Sequence, residues 1–346
     1  MATPRSQIVD PAVTPWYHCV SRCVRRAFLC GEGFEHRKQW IEDRLQELAG
    51  IFAVDCAGFA VLDNHVHVLL RLDVPRAEAW SAEEVARRCL VLFTLRGVDG
   101  HALAVSDARV QQLAGDADVV AELRHRLSDL SWIIKCLKEP LARLANKQDY
   151  CTGAFWQGRF SSVRLLDESA LLACSMYVDL NPIRAGIADS PEESEHTSAY
   201  ERIIAREQNA QATSGVSVDG TGAASDRDGW MAPVPLSGDP EPKSARNSSR
   251  RASNRGFLEM TLDEYLAALD WTGRELRAGK KGVIPTDLPP ILGRLDVDAR
   301  GWLECVSSFG RWFRAAAGRV GAMTAHAHRT GRSWIRGIAM SRLAFG

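Results

Sequence analysis

Two apolar, β-branched runs meet with almost nothing between them. Phe52–Leu62 reads FAVDCAGFAVL and Val61–Asp73 reads VLDNHVHVLLRLD, with Asp63-Asn64 as the turn. Strands joined this tightly form an antiparallel hairpin, which excludes an all-helical chain. The flanking patterns extend the sheet. Trp16–Cys23 reads as a strand, and Glu35–Gly50 as an amphipathic helix with Trp40, Ile41, Leu45 and Leu48 on one face and a glycine at its end. Ser81 and Glu84 form a capping box that opens the next helix. A polar, alanine-rich stretch follows over about Arg96–Asp118. A long helix is expected over Leu127–Asn146, kinked or split at Pro140. Ala154–Leu166 reads as another strand, and Asp167 caps a helix that stops at Asn181-Pro182. The order β-α-β-β-(α)-α-β-α predicts an α+β domain, an antiparallel sheet with helices on it.

The second strand of the hairpin carries His65 and His67. Residues two apart on a strand share a face, so the imidazoles sit side by side and could supply two metal ligands. Asn181 offers an amide oxygen and shares a helix face with Tyr177, four residues before it. Imidazole nitrogens with an amide oxygen suit Mg²⁺ or Mn²⁺. A tyrosine beside such a centre can act as a nucleophile once activated. His18, Cys19, Cys23 and Cys30 lack the paired spacing of a zinc site, so the cysteines read as small buried hydrophobes.

Lys and Arg number 43, as do Asp and Glu, so overall charge does not point to nucleic acid. The balance is uneven, however. From Ser307 onward there is no Asp or Glu, while Arg311, Arg314, Arg319, Arg329, Arg332, Arg336 and Arg342 stand among Trp312, Phe313 and Trp334. Basic residues interleaved with aromatics suit a nucleic-acid surface, though they equally suit a solvated helix face over a core. Arg22, Arg25 and Arg26 beside the first strand, Lys135 and Lys138 on the long helix, and Arg159 and Arg164 on the next strand are candidate phosphate contacts. Gln208–Asn254 is rich in Ser, Gly, Ala, Pro, Asn and Asp, a linker composition. No run is long and apolar enough for a membrane span, and no leader pattern opens the sequence, so a cytoplasmic protein with reduced thiols is expected.

DNHVHVLLR resembles the His-hydrophobe-His strand of single-tyrosine HUH transposases. FWQGRFSSVRLLDESALLACSMYVDLNPIRAGI resembles their tyrosine-bearing segment, and WYHCVSRCVRRAFL their first strand. The combination is most similar to the REP-associated tyrosine transposases and spans about Pro15–Tyr200. The resemblance implies a ferredoxin-like antiparallel sheet and cleavage and rejoining of single-stranded DNA next to a hairpin or palindromic repeat. It implies His65 and His67 as metal ligands, Asn181 at the third-ligand position, and Tyr177 as the nucleophile that forms a 5′-phosphotyrosine. The partner would be single-stranded or hairpin DNA, with a nucleoid location and possible homodimers. Residues 1–205 would form this domain, with an insertion around 72–126. A flexible linker would cover 206–256, and a basic, mostly helical region 257–346. That last region should add DNA affinity rather than chemistry, so a chain ending near Arg206 should keep some cleavage. A hairpin-binding protein that no longer transposes, and an HUH nickase of replication or plasmid transfer, are the alternative readings.

Overall fold

The computed structural model describes residues 9–94, 104–213, 226–236, 250–278 and 297–346. Strand β1 (Trp16–Arg22) leads to helix α1 (His36–Ile51), then to β2 (Val54–Val61) and β3 (His65–Leu72). Four helices follow: α2 (Val74–Ala79), α3 (Ala82–Leu92), α4 (Asp107–Ala114) and α5 (Ala117–Leu127). They fall within the expected insertion, of which residues 95–103 lie outside the described residues. Next come α6 (Leu130–Gln148), β4 (Ser161–Leu165), α7 (Glu168–Asp179), α8 (Asn181–Arg184) and α9 (Ser198–Thr213). The C-terminal region supplies α10 (Leu262–Ala278), α11 (Ala299–Trp312), β5 (Ala316–Ala317), α12 (Val320–Arg329) and α13 (Ile338–Phe345).

The sheet runs β2-β3-β1-β4-β5. The first four strands are antiparallel to their neighbours, and β5 lies parallel to β4. Alternation gives each strand two apolar faces. Val66, Val68 and Leu70 of β3, with Tyr17 and Cys19 of β1, meet Ile41, Leu45 and Leu48 of α1 and Ile133 and Leu137 of α6. Leu69, Val163 and Leu165 on the opposite face meet α7 and the C-terminal helices. With both faces covered, the helix between them must be apolar all round. Every residue of α7 from Ser169 to Asp179 is buried.

Several expectations need correction. Helix α6 runs unbroken through Pro140. The proline leaves the Cys136 carbonyl without its helical donor, and Arg44 Nε of α1 donates to it at 3.2 Å. The strand expected over Ala154–Leu166 is confined to Ser161–Leu165. Before it, Gly153 and Gly158 take positive φ, and Trp156 forms only an isolated bridge to Cys23.

The expected linker is also not uniform. Helix α9 extends into it as far as Thr213. Within it, Trp230, Met231, Ala232 and Val234 are buried, with the Trp230 ring 5.3 Å from that of Phe59. An indole and three apolar neighbours are enough to dock a short segment whose average composition is polar. The remainder of that expectation, at 214–225 and 237–249, lies outside the described residues.

The C-terminal region is not an appendage. Trp302, Cys305, Phe309 and Phe313 share one core with Leu172, Met176 and Tyr177 of α7. Buried Asp179 accepts from the Tyr265 hydroxyl of α10 at 2.5 Å, from Ser198, and from the Ala199 amide at 3.1 Å. A chain ending near Arg206 would therefore lose part of its core, contrary to the expectation that it keeps cleavage.

Candidate active site

Strand register decides which side chains can meet. In the β1–β3 ladder, Arg22 lies opposite His65 and Val20 opposite His67, so Arg22, His18, His65 and His67 share one face. Helix α7 crosses that face. Its start is set by Asp167, whose side chain accepts from the Ala170 amide at 3.0 Å. Its wholly buried, small-residue surface, Ala170 and Ala173 included, lets it lie close to the sheet. Tyr177 is thereby brought to the histidines. Its ring centroid is 5.4 Å from that of His67 and 5.8 Å from that of His18, edge-on to both.

Asn181 follows one turn later. Pro182 interrupts the hydrogen-bond ladder, so α7 closes at Leu180 and a new short helix, α8, begins at Asn181. The restart keeps Asn181 on the Tyr177 side. Its amide nitrogen lies 3.1 Å from His67 Nε2. The other nitrogen of that ring, Nδ1, lies 2.8 Å from His18 Nε2, with the two ring planes nearly parallel at 8°. If Asn181 donates to Nε2, then Nδ1 carries the proton and donates to His18, whose own Nδ1 is buried with no partner among the described residues. His65 Nδ1 is 2.6 Å from the Asn64 side-chain oxygen.

The structure thus brings His65, His67, Tyr177 and Asn181 together. Sequence reasoning misses His18, which it groups with the cysteines. The signal was present in the alternation of WYHCVSR: His18 falls on the Arg22 face, while Cys19 and Cys23 turn away into the opposite core.

The donors fit a divalent ion in kind. Rotating the Asn181 amide would turn its oxygen toward His67 Nε2, and His65 Nε2 remains for a second bond. Burial holds all three imidazoles in the neutral, ligand-competent form. It pulls His18 down to about 3 and His65 to about 4, with Arg22 the next cause for each; His67 falls well below its usual value, through burial and then His18. Among the described residues, however, no group of three or more His, Cys, Asp or Glu side chains could hold a metal. The set would be two imidazoles and one amide, without a carboxylate.

Beside Tyr177 opens a cavity of about 490 Å³. Its lining includes Arg22, Arg26, Arg184, Arg311 and Arg314, and no Asp or Glu. The Arg184 guanidinium stands 4.8 Å from the centre of the Tyr177 ring. Such a site attracts anions.

The other suggested phosphate contacts lie elsewhere. Arg25 is exposed but does not line this cavity. Lys135, Lys138 and Arg159 line a separate groove beside α6, where Lys138 also donates to the Gly158 carbonyl at 2.8 Å. Arg164 is a correction: it is buried, beside Tyr17 and 3.2 Å from His326 Nε2, so it holds the fold together rather than facing solvent. Among the described residues, no helix is long and apolar enough to cross a membrane.

No family model and no curated protein matches the chain. Among solved structures, it is similar to that of a REP-associated tyrosine transposase bound to a REP hairpin, at 13% identity and a TM-score of 0.33. The match covers 56% of this chain and 79% of the other.

Proposed function

We propose that the chain cleaves and rejoins single-stranded DNA, with Tyr177 as the nucleophile. The observation that carries this reading is the placement of a tyrosine hydroxyl at an arginine-lined, carboxylate-free cavity, beside a histidine pair on the same strand face. The phenol oxygen would bond to phosphorus while the bond to the 3′-oxygen breaks. The proton given up by the phenol balances the one taken by the departing 3′-hydroxyl. The product is a 5′-phosphotyrosine, which conserves the phosphodiester energy, so rejoining needs no nucleotide.

Each part of the site has a role in this reading. Arg184, against the Tyr177 ring, would stabilise the charge that develops on the phosphate. His65, His67 and Asn181 would hold Mg²⁺ or Mn²⁺, which polarises the phosphate oxygen. His18, accepting from His67 Nδ1, keeps the Nε2 lone pair facing Asn181. The strand order β2-β3-β1-β4, with β3 inserted between two parallel strands linked through α1, supports the ferredoxin-like form of the reading. Hairpin DNA as the preferred substrate, and a place with the nucleoid, belong to the same proposal through the sequence resemblance.

A binding-only reading draws on one observation. Tyr177 is only 8% exposed, beneath Phe309 and Gly310, where a Cβ added at Gly310 would lie 3.0 Å from its hydroxyl. The two readings separate on the covalent adduct. With hairpin or single-stranded substrates and either metal, the parent should form a protein–DNA adduct that survives denaturing gels. Tyr177→Phe should bind DNA equally and form none. An adduct in the variant would move the nucleophile elsewhere. A parent that never forms one would favour binding alone.

A further inference from the structure

We propose that the C-terminal segment completes the DNA site, with Arg311 and Arg314 holding the phosphates next to the one that Tyr177 attacks. The proposal rests on reading the cavity as a DNA site, and it assigns positioning residues that lie far beyond the tyrosine segment. Helix α11 loses helical geometry at Ser308 (φ −135°, ψ 25°), two residues before Gly310. The bend lays Gly310 against the Tyr177 hydroxyl, where an added Cβ would lie 3.0 Å from that oxygen. It also sets Arg311 and Arg314 into the cavity wall facing Arg22, Arg26 and Arg184.

Charge argues that these are more than surface decoration. Some arginines elsewhere pair locally, as in Arg44–Glu47, Arg88–Glu84, Arg126–Glu122 and Arg274–Asp270, where a carboxylate lies within reach. None of the five cavity arginines makes an ion pair among the described residues, and no carboxylate lines the cavity. Arg22, Arg26, Arg184, Arg311 and Arg314 all line this one cavity, so like charges are gathered around it. Mutual repulsion of this kind is relieved by an anion. One phosphodiester carries a single charge, so five guanidinium groups match a run of phosphates better than one. Two of the five come from the C-terminal segment, so a substrate strand is gripped from both ends of the sequence at once.

The test is the salt dependence of binding to a short single-stranded DNA of arbitrary sequence, followed by fluorescence anisotropy. Each phosphate that a protein neutralises on a single strand adds about 0.7 to the slope of log K against log salt. Arg311→Gln with Arg314→Gln should therefore flatten the slope by about 0.7 for every phosphate the variant no longer holds. Adduct formation at subsaturating DNA should fall with it. Arg336→Gln with Arg342→Gln, exposed in the same region but outside the cavity, should leave the slope unchanged. Equal slopes for the cavity variant and the parent would overturn the proposal, as would equal flattening in the control variant. If the double variant fails to fold, Arg314→Gln alone carries the same expectation for a single phosphate. The two readings fail separately. A parent without an adduct whose slope still depends on Arg311 and Arg314 loses the tyrosine chemistry and keeps the anion site. An adduct with an unchanged slope does the reverse.

Discussion

At the residue scale, His18 shows how a side chain can matter through the one it orients. His67 has two ring nitrogens and both are engaged, one by His18 and one by Asn181. His18→Ala removes the acceptor for the Nδ1 proton, so the tautomer that presents the Nε2 lone pair is no longer favoured. A buried donor left unsatisfied costs about 1–3 kcal/mol. Loss of an orienting partner lowers metal affinity or activity by about 10–100-fold. A titration of adduct formation against Mn²⁺ should thus shift by that factor in His18→Ala, while DNA binding without metal holds. An unshifted titration would leave His18 a packing residue. His65, His67 and Tyr177 were legible because a two-residue strand spacing and a helix are local patterns. His18 was not, because its meaning lies in a partner 49 positions away, chosen by strand register.

At the element scale, sequence signals with a local physical cause reappear where they were read. Ser81 accepts from the Glu84 amide, and Asp167 from that of Ala170. What escaped were pieces whose stability comes from their neighbours: α4 within the polar stretch, α5 starting at its end, and β5, two buried residues paired with β4. Helix α12 depends on such a contact. Neutral His326 Nε2 accepts from buried Arg164 of β4 at 3.2 Å. Burial lowers the pKa of His326, and Arg164, Arg329 and Arg332 lower it further against a weak opposing pull from Asp10. The unfolded chain therefore takes up this proton at higher pH than the folded chain does. Its stabilising contribution is complete above about 6.5, the reference histidine value, and is lost as pH falls toward the folded pKa, at no more than about 1.4 kcal/mol per pH unit. Melting temperature should drop between pH 7 and pH 5, and the drop should be shallower in His326→Gln. A parallel fall in both proteins would place the proton elsewhere.

At the scale of the whole molecule, the question is whether the N-terminal two-thirds can stand without the rest. Composition suggests that it can, since a polar stretch separates the halves and the last forty residues read as a basic tail. Packing says otherwise. Helix α7 is apolar on every side because one side meets the sheet and the other meets α11, with Trp302, Phe309, Phe313 and Phe345 all at most 1% exposed in the shared core. Burial of one large apolar side chain is worth about 1.5–3 kcal/mol. Four of them already approach the whole stability of an ordinary domain, about 5–15 kcal/mol. Asp179 would also lose the Tyr265 hydroxyl while the rest of its buried network stayed in place. A chain ending at residue 256 should therefore aggregate, or show no cooperative melt, rather than fold as a weakened DNA binder. A soluble fragment with a sharp transition and the near-ultraviolet circular dichroism of the parent would show that the open face of α7 can be covered some other way. If it is not, truncation cannot report on DNA binding, because the site collapses together with the core. Only point substitutions such as those at Arg311 and Arg314 then separate the charge that the C-terminal region brings to the cavity from the apolar surface it brings to Tyr177.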